Sequence, residues 1–432
     1  MPLGLYISVP FCRTKCSYCN FASDVFSKSA HENYVARLLE DIADSRRLAS
    51  DLGCALEETA DSIYLGGGTP SILEAAQLLR LFAAVRNHFA ITPDAEITVE
   101  CAPGTLTLSL IETLLQCGVN RVSLGVQSFV DQEAQSVGRL HKRAIVLEEI
   151  ARLRDADLAN ISIDLIAGLP HQTAESWAYS ISEMIATGVP HASVYMLEVD
   201  EDSRLGRELI AGGARYHAHF VPNDDATADF YQHACEMLAA AGIVQYEISN
   251  FARAAAPSGV SQSRSNQSRH NLKYWTRQPY VGFGVDAHSM LERIPSAEGR
   301  VPSPVRIGTI ASGIEADYYQ AIRFATPDSL DAYMNRAPRT VTPVSAQAAI
   351  EESLFLGLRL NRGIDIEGFR LGPDPEMAAI WEAAIQQSVG EGLLEQQGPN
   401  LRLTARGRLL SNEVFARFLA EEKVGTGHVN PR

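Results

Sequence analysis

Three cysteines, Cys12, Cys16 and Cys19, fall in the pattern C-x3-C-x2-C. Fully extended, that span reaches only about 23 Å, so all three thiolates can fold around one inorganic core. Zinc would normally be closed by a fourth ligand, and no second C-x2-C or nearby H-x3-H pair is present to supply it. An iron–sulfur cube held by three cysteines leaves one iron with an open coordination position, an arrangement suited to catalysis rather than structure alone. The alternatives are three buried reduced cysteines or a zinc loop completed by a distant residue. The other four of the seven cysteines, Cys54, Cys101, Cys117 and Cys235, are scattered through apolar segments, which is not a disulfide framework.

Two further motifs carry chemistry. GGGTP at 66–70 lacks the Lys of a phosphate-binding P-loop; its glycines either let a ligand approach backbone N–H groups or make an ordinary tight turn. HNLKYW at 270–275, if helical, sets His270 and Tyr274 on one face at i and i+4, with Trp275 beside them. Such a group suits haem, because an imidazole can ligate iron axially while flat aromatic side chains cover the macrocycle. The alternative is a histidine satisfied by Asn271 or by backbone, with the aromatic residues in the core. In GFGVDAHS at 282–289 the glycines indicate a close backbone approach; Asp286 and His288 follow, and His288 reads as a structural histidine.

Elements that could position these residues are visible as short β-branched runs alternating with stretches of helical period. LYISV, SIYLG, EITVE, RVSLGVQ, ISIDLIAG and SVYMLEV imply six strand-and-helix units, with ENYVARLLEDIADSRRLA and SLIETLLQCGVN among the crossover helices. A parallel sheet curved into a full or partial barrel accommodates them. In such sheets the chemistry sits at the carboxyl ends of the strands. Those ends are polar here: the Cys12 cluster, Gly66 to Thr69, Glu100, Gln127, Asp164 and Glu198 follow or close the six runs. Six ends facing one rim build one site.

The chain has 432 residues, 46% hydrophobic, enough for two or three domains. The stretch AAPSGVSQSRSNQSR, ending at Arg269, has no periodicity and reads as a mobile surface loop, a domain boundary. The expected division is a barrel over 1–250, a connecting region with the loop and HNLKYW over 251–340, and a C-terminal domain over 341–432. In that last part ESLFLGLRL reads as a helix, LLEQQGPNLRLT as a hairpin turned at Gly398 to Asn400, and ARGRLLSNEVFARFL as a helix capped by Thr404, a winged-helix-like α+β arrangement.

Charge limits the partners. With 37 Lys plus Arg against 52 Asp plus Glu, the net charge is −15, and a basic nucleic-acid arm is excluded. Residues 341–432 carry 9 Lys plus Arg and 12 Asp plus Glu, a net of −3, so a structural or docking role is expected for the C-terminal domain rather than DNA reading. The N-terminus lacks the pattern of a secretory signal and no window reaches about 18 apolar residues, so a cytoplasmic protein is expected, meeting a membrane only through a partner.

YISVPFCRTKCSYCNF, YLGGGTPS, VECAPGTL, RVSLGVQSF, DLIAGLPHQT, YEISNFA and HNLKYW occur in the order seen in the oxygen-independent coproporphyrinogen oxidase family of the radical S-adenosylmethionine (SAM) superfamily, including its HemW-type haem chaperone branch. The chain resembles that family over nearly its whole length. The resemblance implies a partial (β/α)6 barrel, with Cys12, Cys16 and Cys19 holding a [4Fe–4S] cluster whose open iron is chelated by SAM. It places Tyr6, Tyr18, Gly67, Gly68, Thr69 and Glu100 around the first SAM, and makes Gln127, Arg139, Asp164 and Glu198 candidate SAM or substrate contacts. Asp164 and Gln127 could instead satisfy backbone groups, and Arg139 could be an ordinary surface base. Phe21, grouped with the SAM-side residues, occupies the fourth position of the decarboxylase motif C-x3-C-x2-C-x-C. Ser8 stands where relatives often carry a histidine.

Two features point to the chaperone branch: the missing fourth thiol at Phe21, and HNLKYW with His270 and Tyr274 as haem residues. The function expected is therefore binding of haem and its transfer to an acceptor protein, served by a reductant such as ferredoxin or flavodoxin. The alternative is oxidative decarboxylation of coproporphyrinogen propionates to vinyls. A winged-helix redox regulator is disfavoured by the acidic tail. No C-x-x-C-H occurs, so haem attachment of the c-type cytochrome kind is not expected.

Overall fold

The computed structural model describes residues 1–254, 266–294, 319–367 and 375–419. Most of the expected surface loop before Arg269 lies outside them. The fold is α/β, built on one twelve-stranded sheet in which six parallel strands run in sequence order. These are β1 (Leu3–Val9), β2 (Thr59–Gly67), β3 (Ala90–Cys101), β4 (Arg121–Gln127), β5 (Ile161–Ala167) and β6 (His191–Met196). All five neighbouring pairs are parallel, which makes the partial (β/α)6 barrel. β1 and β5 are buried at every residue but one, because helices cover one face and the barrel interior the other.

The crossover helices are α1 (Lys28–Asp51), α2 (Ala75–His88), α3 (Leu108–Gln116), α4 (Asp131–Ser136), α5 (Arg143–Asp155) and α6 (Ala174–Thr187). Their ends follow local chemistry: Ser27, Thr107 and Thr173 cap α1, α3 and α6 by accepting a backbone N–H, and α6 stops at Gly188 in the left-handed region. After β6 come α7 (Arg204–Ala211), α8 (Asp224–Ala240), β7 (Ile243–Gln245), β8 (Asn250–Arg253) and α9 (Arg269–Trp275).

β8 pairs antiparallel with β6 and carries β7 on its outer side, ending the sheet. At the other end β9 (Tyr280–Phe283) pairs parallel with β1, then β10 (His288–Glu292), β11 (Tyr319–Ala325) and, after α10 (Leu330–Met334), β12 (Thr340–Ser345) extend it. Two compact units result, Met1–Tyr274 with Gln278–Val344, and Trp275–Arg277 with Ser345–Arg432.

The second unit is α+β. It contains α11 (Ala346–Leu358), β13 (Ile364–Asp365), α12 (Pro375–Gly390), β14 (Leu394–Gln397), β15 (Asn400–Leu403), α13 (Ala405–Leu409) and α14 (Ser411–Ala416). β14 and β15 form the hairpin expected from the sequence, with Gly398 at φ 60° in the turn, and Thr404 caps α13. Within this unit the Arg359 guanidinium lies 4.1 Å from the centre of the Trp275 ring, and Arg277 pairs with Glu352 at 2.7 Å.

The second glycine of GFGVDAHS, Gly284, finds its reason here. Tyr34 of α1 donates its phenol to the Ser8 carbonyl at 2.7 Å and accepts the Val285 N–H at 3.0 Å. Gly284, at φ 99°, leaves the space for that phenol, and a Cβ there would overlap both Tyr34 Oη and the Ser8 carbonyl oxygen. Gly284→Ala should therefore lower unfolding free energy by about 2–4 kcal/mol, through a strained φ and overpacking together. Denaturant unfolding of the two chains measures it; an unchanged midpoint would contradict the packing described.

A cysteine-lined cavity at the carboxyl ends of the strands

The loop that follows β1 is closed on itself by two backbone bonds, Cys12 N–H to Asp24 O and Asp24 N–H to Pro10 O, both 3.0 Å. It is also fastened outward: Ser17 N–H donates to Val137 O at 3.1 Å, and Thr14 Oγ1 donates to Gly138 O at 3.0 Å. The loop after β2 joins it edge to edge. Gly68 N–H donates to Val9 O at 2.8 Å and Thr69 N–H to Phe11 O at 2.7 Å. A Cβ on Gly68 would stand 2.7 Å from the Phe11 carbonyl oxygen and 2.9 Å from that of Val9. The third glycine of GGGTP is thus required by the protein's own backbone.

Between these loops opens a cavity of about 300 Å³. Cys12, Cys16, Cys19, Tyr18, Phe21, Gly67, Gly68, Thr69, Glu100, Gln127, Arg139 and Asp164 all line it, twelve of the positions singled out from sequence. Four others are elsewhere. Glu198 lies exposed past the end of β6 and is not in the cavity wall. Tyr6 points into the barrel below, its ring centre 6.2 Å from that of Tyr64 and 6.3 Å from His270.

His270 and Tyr274 lie farther down still, beside Gly4 and Ser62 near the amino ends of β1 and β2. The His270 ring is 1% exposed, and both of its nitrogens are engaged, Nδ1 with Ser62 Oγ at 3.1 Å and Nε2 with the Tyr274 hydroxyl at 2.8 Å. Burial, with the Lys273 charge beside it, pushes its pKa down to about 3, so the ring is neutral. As placed, it offers no open coordination position. Lys273 is equally buried and donates to the Pro2 carbonyl at 2.8 Å while pairing with Asp61 at 2.7 Å.

Residues of one sign and the other face each other in the cavity. Burial is the main cause that pushes the Glu100 carboxyl up to about 7; the Tyr64 hydroxyl, donating at 2.8 Å, opposes it and the nearby Asp164 adds to it. Burial also raises Asp164, whose two oxygens accept from Ser123 Oγ at 3.0 and 2.9 Å. Arg139 donates to the Tyr18 hydroxyl at 3.4 Å and keeps its Nε buried without a partner among the described residues. Gln127 holds φ 69° where the β4–β5 register shifts, a conformation uncommon outside glycine and of the kind found at functional sites.

Burial raises the thiols of Cys12 and Cys19, with hydrogen bonds from Thr69 and Ser23 opposing this at Cys12. Among the described residues no three His, Cys, Asp or Glu side chains converge on a single ion. The three thiols share the wall of one cavity and would together hold a cluster there. Two carboxyls, an unpaired guanidinium N–H and a backbone-lined loop suit an adjacent zwitterion with a further positive charge, which describes SAM. The residues present therefore fit both groups. Tyr195, Gly125 and Ile166 are among the further wall residues, and Tyr195 was missed from sequence; it alternates with Val194 inside an apolar run, and only its strand-end position signalled it.

The sign of a pH effect follows from Glu100. Unfolded, the carboxyl ionises near 4.5, and folded it keeps its proton to about 7. Across that window the folded state holds more proton at this carboxyl, so the contribution of Glu100 to the stability of the cluster-free chain falls as pH rises. Glu100→Gln removes that contribution, so the melting temperature of the variant should gain on that of the parent between about pH 4.5 and 7. Parallel curves for the two chains would contradict it.

Residues 6–183 match the Radical SAM superfamily and residues 344–410 the HemN C-terminal domain. The chain is 30% identical to "Heme chaperone HemW" of Bacillus subtilis, over 96% of this chain and 99% of that one. Against the HemW of Synechocystis it is 32% identical, over 84% and 79%, and against that of Escherichia coli 29%, over 97% and 99%. Among solved structures, the coproporphyrinogen III oxidase HemN of Escherichia coli shares the fold with a TM-score of 0.75 at 21% identity, covering 96% of this chain and 90% of that one. On this full-length similarity, joined to the three-cysteine cavity, the chain belongs to the HemW family of radical SAM proteins.

Proposed function

We propose that this protein is a haem chaperone, which binds haem and hands it to an acceptor protein. Cys12, Cys16 and Cys19 would hold the [4Fe–4S] cluster, with SAM in the adjoining cavity. The observation that carries the reading is Phe21. It lines the cavity at the position of the fourth decarboxylase cysteine, has no thiol, and is 61% exposed. The full-length HemW relatives support the same reading.

The chain's own residues divide the work. The three thiols give up their protons on binding iron. Gly67 and Thr69 would border the cofactor, Gly68 keeps their loop against the cysteine loop, and Arg139 supplies a half-buried cation with a spare buried N–H. Glu100 holds a proton up to about pH 7 and can pass from neutral to charged near the working range. When bound, the cluster supplies an electron that can cleave SAM reductively; a donor such as reduced ferredoxin or flavodoxin would provide it. No helix among the described residues is long and apolar enough to cross a membrane, so a membrane-bound acceptor would be met at its exposed face.

Decarboxylation of coproporphyrinogen is the competing reading. The HemN likeness is one of fold. The cluster-reconstituted chain, titrated anaerobically, should take up haem saturably at one per chain and pass it to an apo-acceptor. Given SAM, reductant and coproporphyrinogen, it should form no vinyl product. Carbon dioxide release with vinyl formation would assign the chain to the oxidases instead.

A further inference from the structure

The buried His270 leaves open where a haem iron would be gripped, and three other histidines answer it. His171 lies in the loop after β5, and His217 and His219 in the turn that follows α7. Their rings gather about Phe220: the His171 and His219 centres are each 4.0 Å from that of Phe220, and His171 is 5.1 Å from His217. Phe220 is 47% exposed, His219 is exposed, and the other two imidazoles are half-buried. None of the three imidazoles makes a hydrogen bond among the described residues. Burial, then the charges of His217 and His219, pull the His171 pKa down, which favours the neutral ring a metal needs.

The cluster is held rather than loose. His171 N–H donates to the Phe220 carbonyl at 3.0 Å, tying the two loops together. Glu208 of α7 accepts the Tyr216 and Ala218 N–H groups at 2.8 and 3.2 Å. His171 and His217 both sit in the left-handed region, at φ 69° and 62°, where a bulky residue is uncommon and local strain has to be maintained by its surroundings. On α7, which packs against this turn, Leu209 and Ile210 are 54% and 68% exposed, and Arg215 beside it is exposed.

We propose that the face formed by His171, His217, His219 and Phe220 is a docking site for haem. One imidazole ligates the iron, the exposed rings and the apolar end of α7 cover one side of the macrocycle, and Arg215 meets a propionate. Haem is favoured over a bare divalent ion by the ligand geometry. No three donors converge here as a chelate, so a free ion would be under-ligated. Haem iron brings four equatorial nitrogens and needs only one or two axial ligands. The inference rests on haem being the cargo.

The test uses the cluster-reconstituted chain, titrated anaerobically with haem and followed by absorption and electron paramagnetic resonance. The variant is His171→Asn/His217→Asn/His219→Asn, since asparagine tolerates the left-handed backbone and leaves no imidazole. The expected result is at least about tenfold weaker binding and loss of the imidazole-ligated spectrum, with iron–sulfur absorbance and melting temperature unchanged. His233→Asn, on the exposed surface of α8, is the control and should bind as the parent does. A triple variant with parental affinity and spectrum overturns the proposal. So does tight one-to-one uptake of Zn²⁺ alone by the parent, lost in the triple variant while haem binding is kept. A parent chain that retains no haem at all overturns the chaperone reading itself, a result separable from these.

Discussion

The missing Cβ of Gly68 is the constraint on which the site depends. Because two backbones can meet there, the loops after β1 and β2 join through direct N–H to carbonyl bonds at Gly68 and Thr69. Three thiols and a cofactor-bordering loop are thereby fixed to two adjacent strands rather than to mobile side chains. Glu100, Gln127 and Asp164 then enter the same cavity simply because their strands follow in order around the sheet. A methyl group at residue 68 would push on carbonyl oxygens that have no freedom to move.

The two ends of the barrel are built differently. At the carboxyl ends the wall mixes half-exposed thiols, carboxyls and a guanidinium around open volume. At the amino ends α9 closes the interior with groups whose polar atoms are matched, the His270 ring between Ser62 and Tyr274 and the Lys273 ammonium on Asp61 and the Pro2 carbonyl. An ammonium buried this deeply is tolerable only with such partners. Reactive capacity lies at the top, and closure at the bottom.

Much of this was legible in the chain because it is local. The C-x3-C-x2-C spacing, the strand ends and the Gly398 hairpin are each decided within a few residues. Placement across the barrel was not. HNLKYW carries the residue types of a haem ligand set, yet its helix packs at the amino ends of β1 and β2, more than 200 residues away in sequence, and that register has no local signature. Glu198, expected within or just beyond the sixth strand, lies two residues past the end of β6, exposed and outside the cavity wall. The close approach expected of the glycines in GFGVDAHS is found at Gly284, where its partners are the Tyr34 phenol and the Ser8 carbonyl. His217 and His219 stand two apart in YHAHF, but nothing local ties them to His171.

The pairing of β1 with β9 has a consequence for synthesis. Tyr6 and Ile7 lie against Gly282 and Phe283, so β1, once made, lacks one edge partner until synthesis has passed Phe283. At about 5–20 residues per second that is some tens of seconds. The three thiols hang from this same strand, so for that interval they are attached to an incomplete sheet. Iron delivered then would meet a loop carried by a strand paired at one edge, and iron delivered afterwards one carried by a strand paired at both.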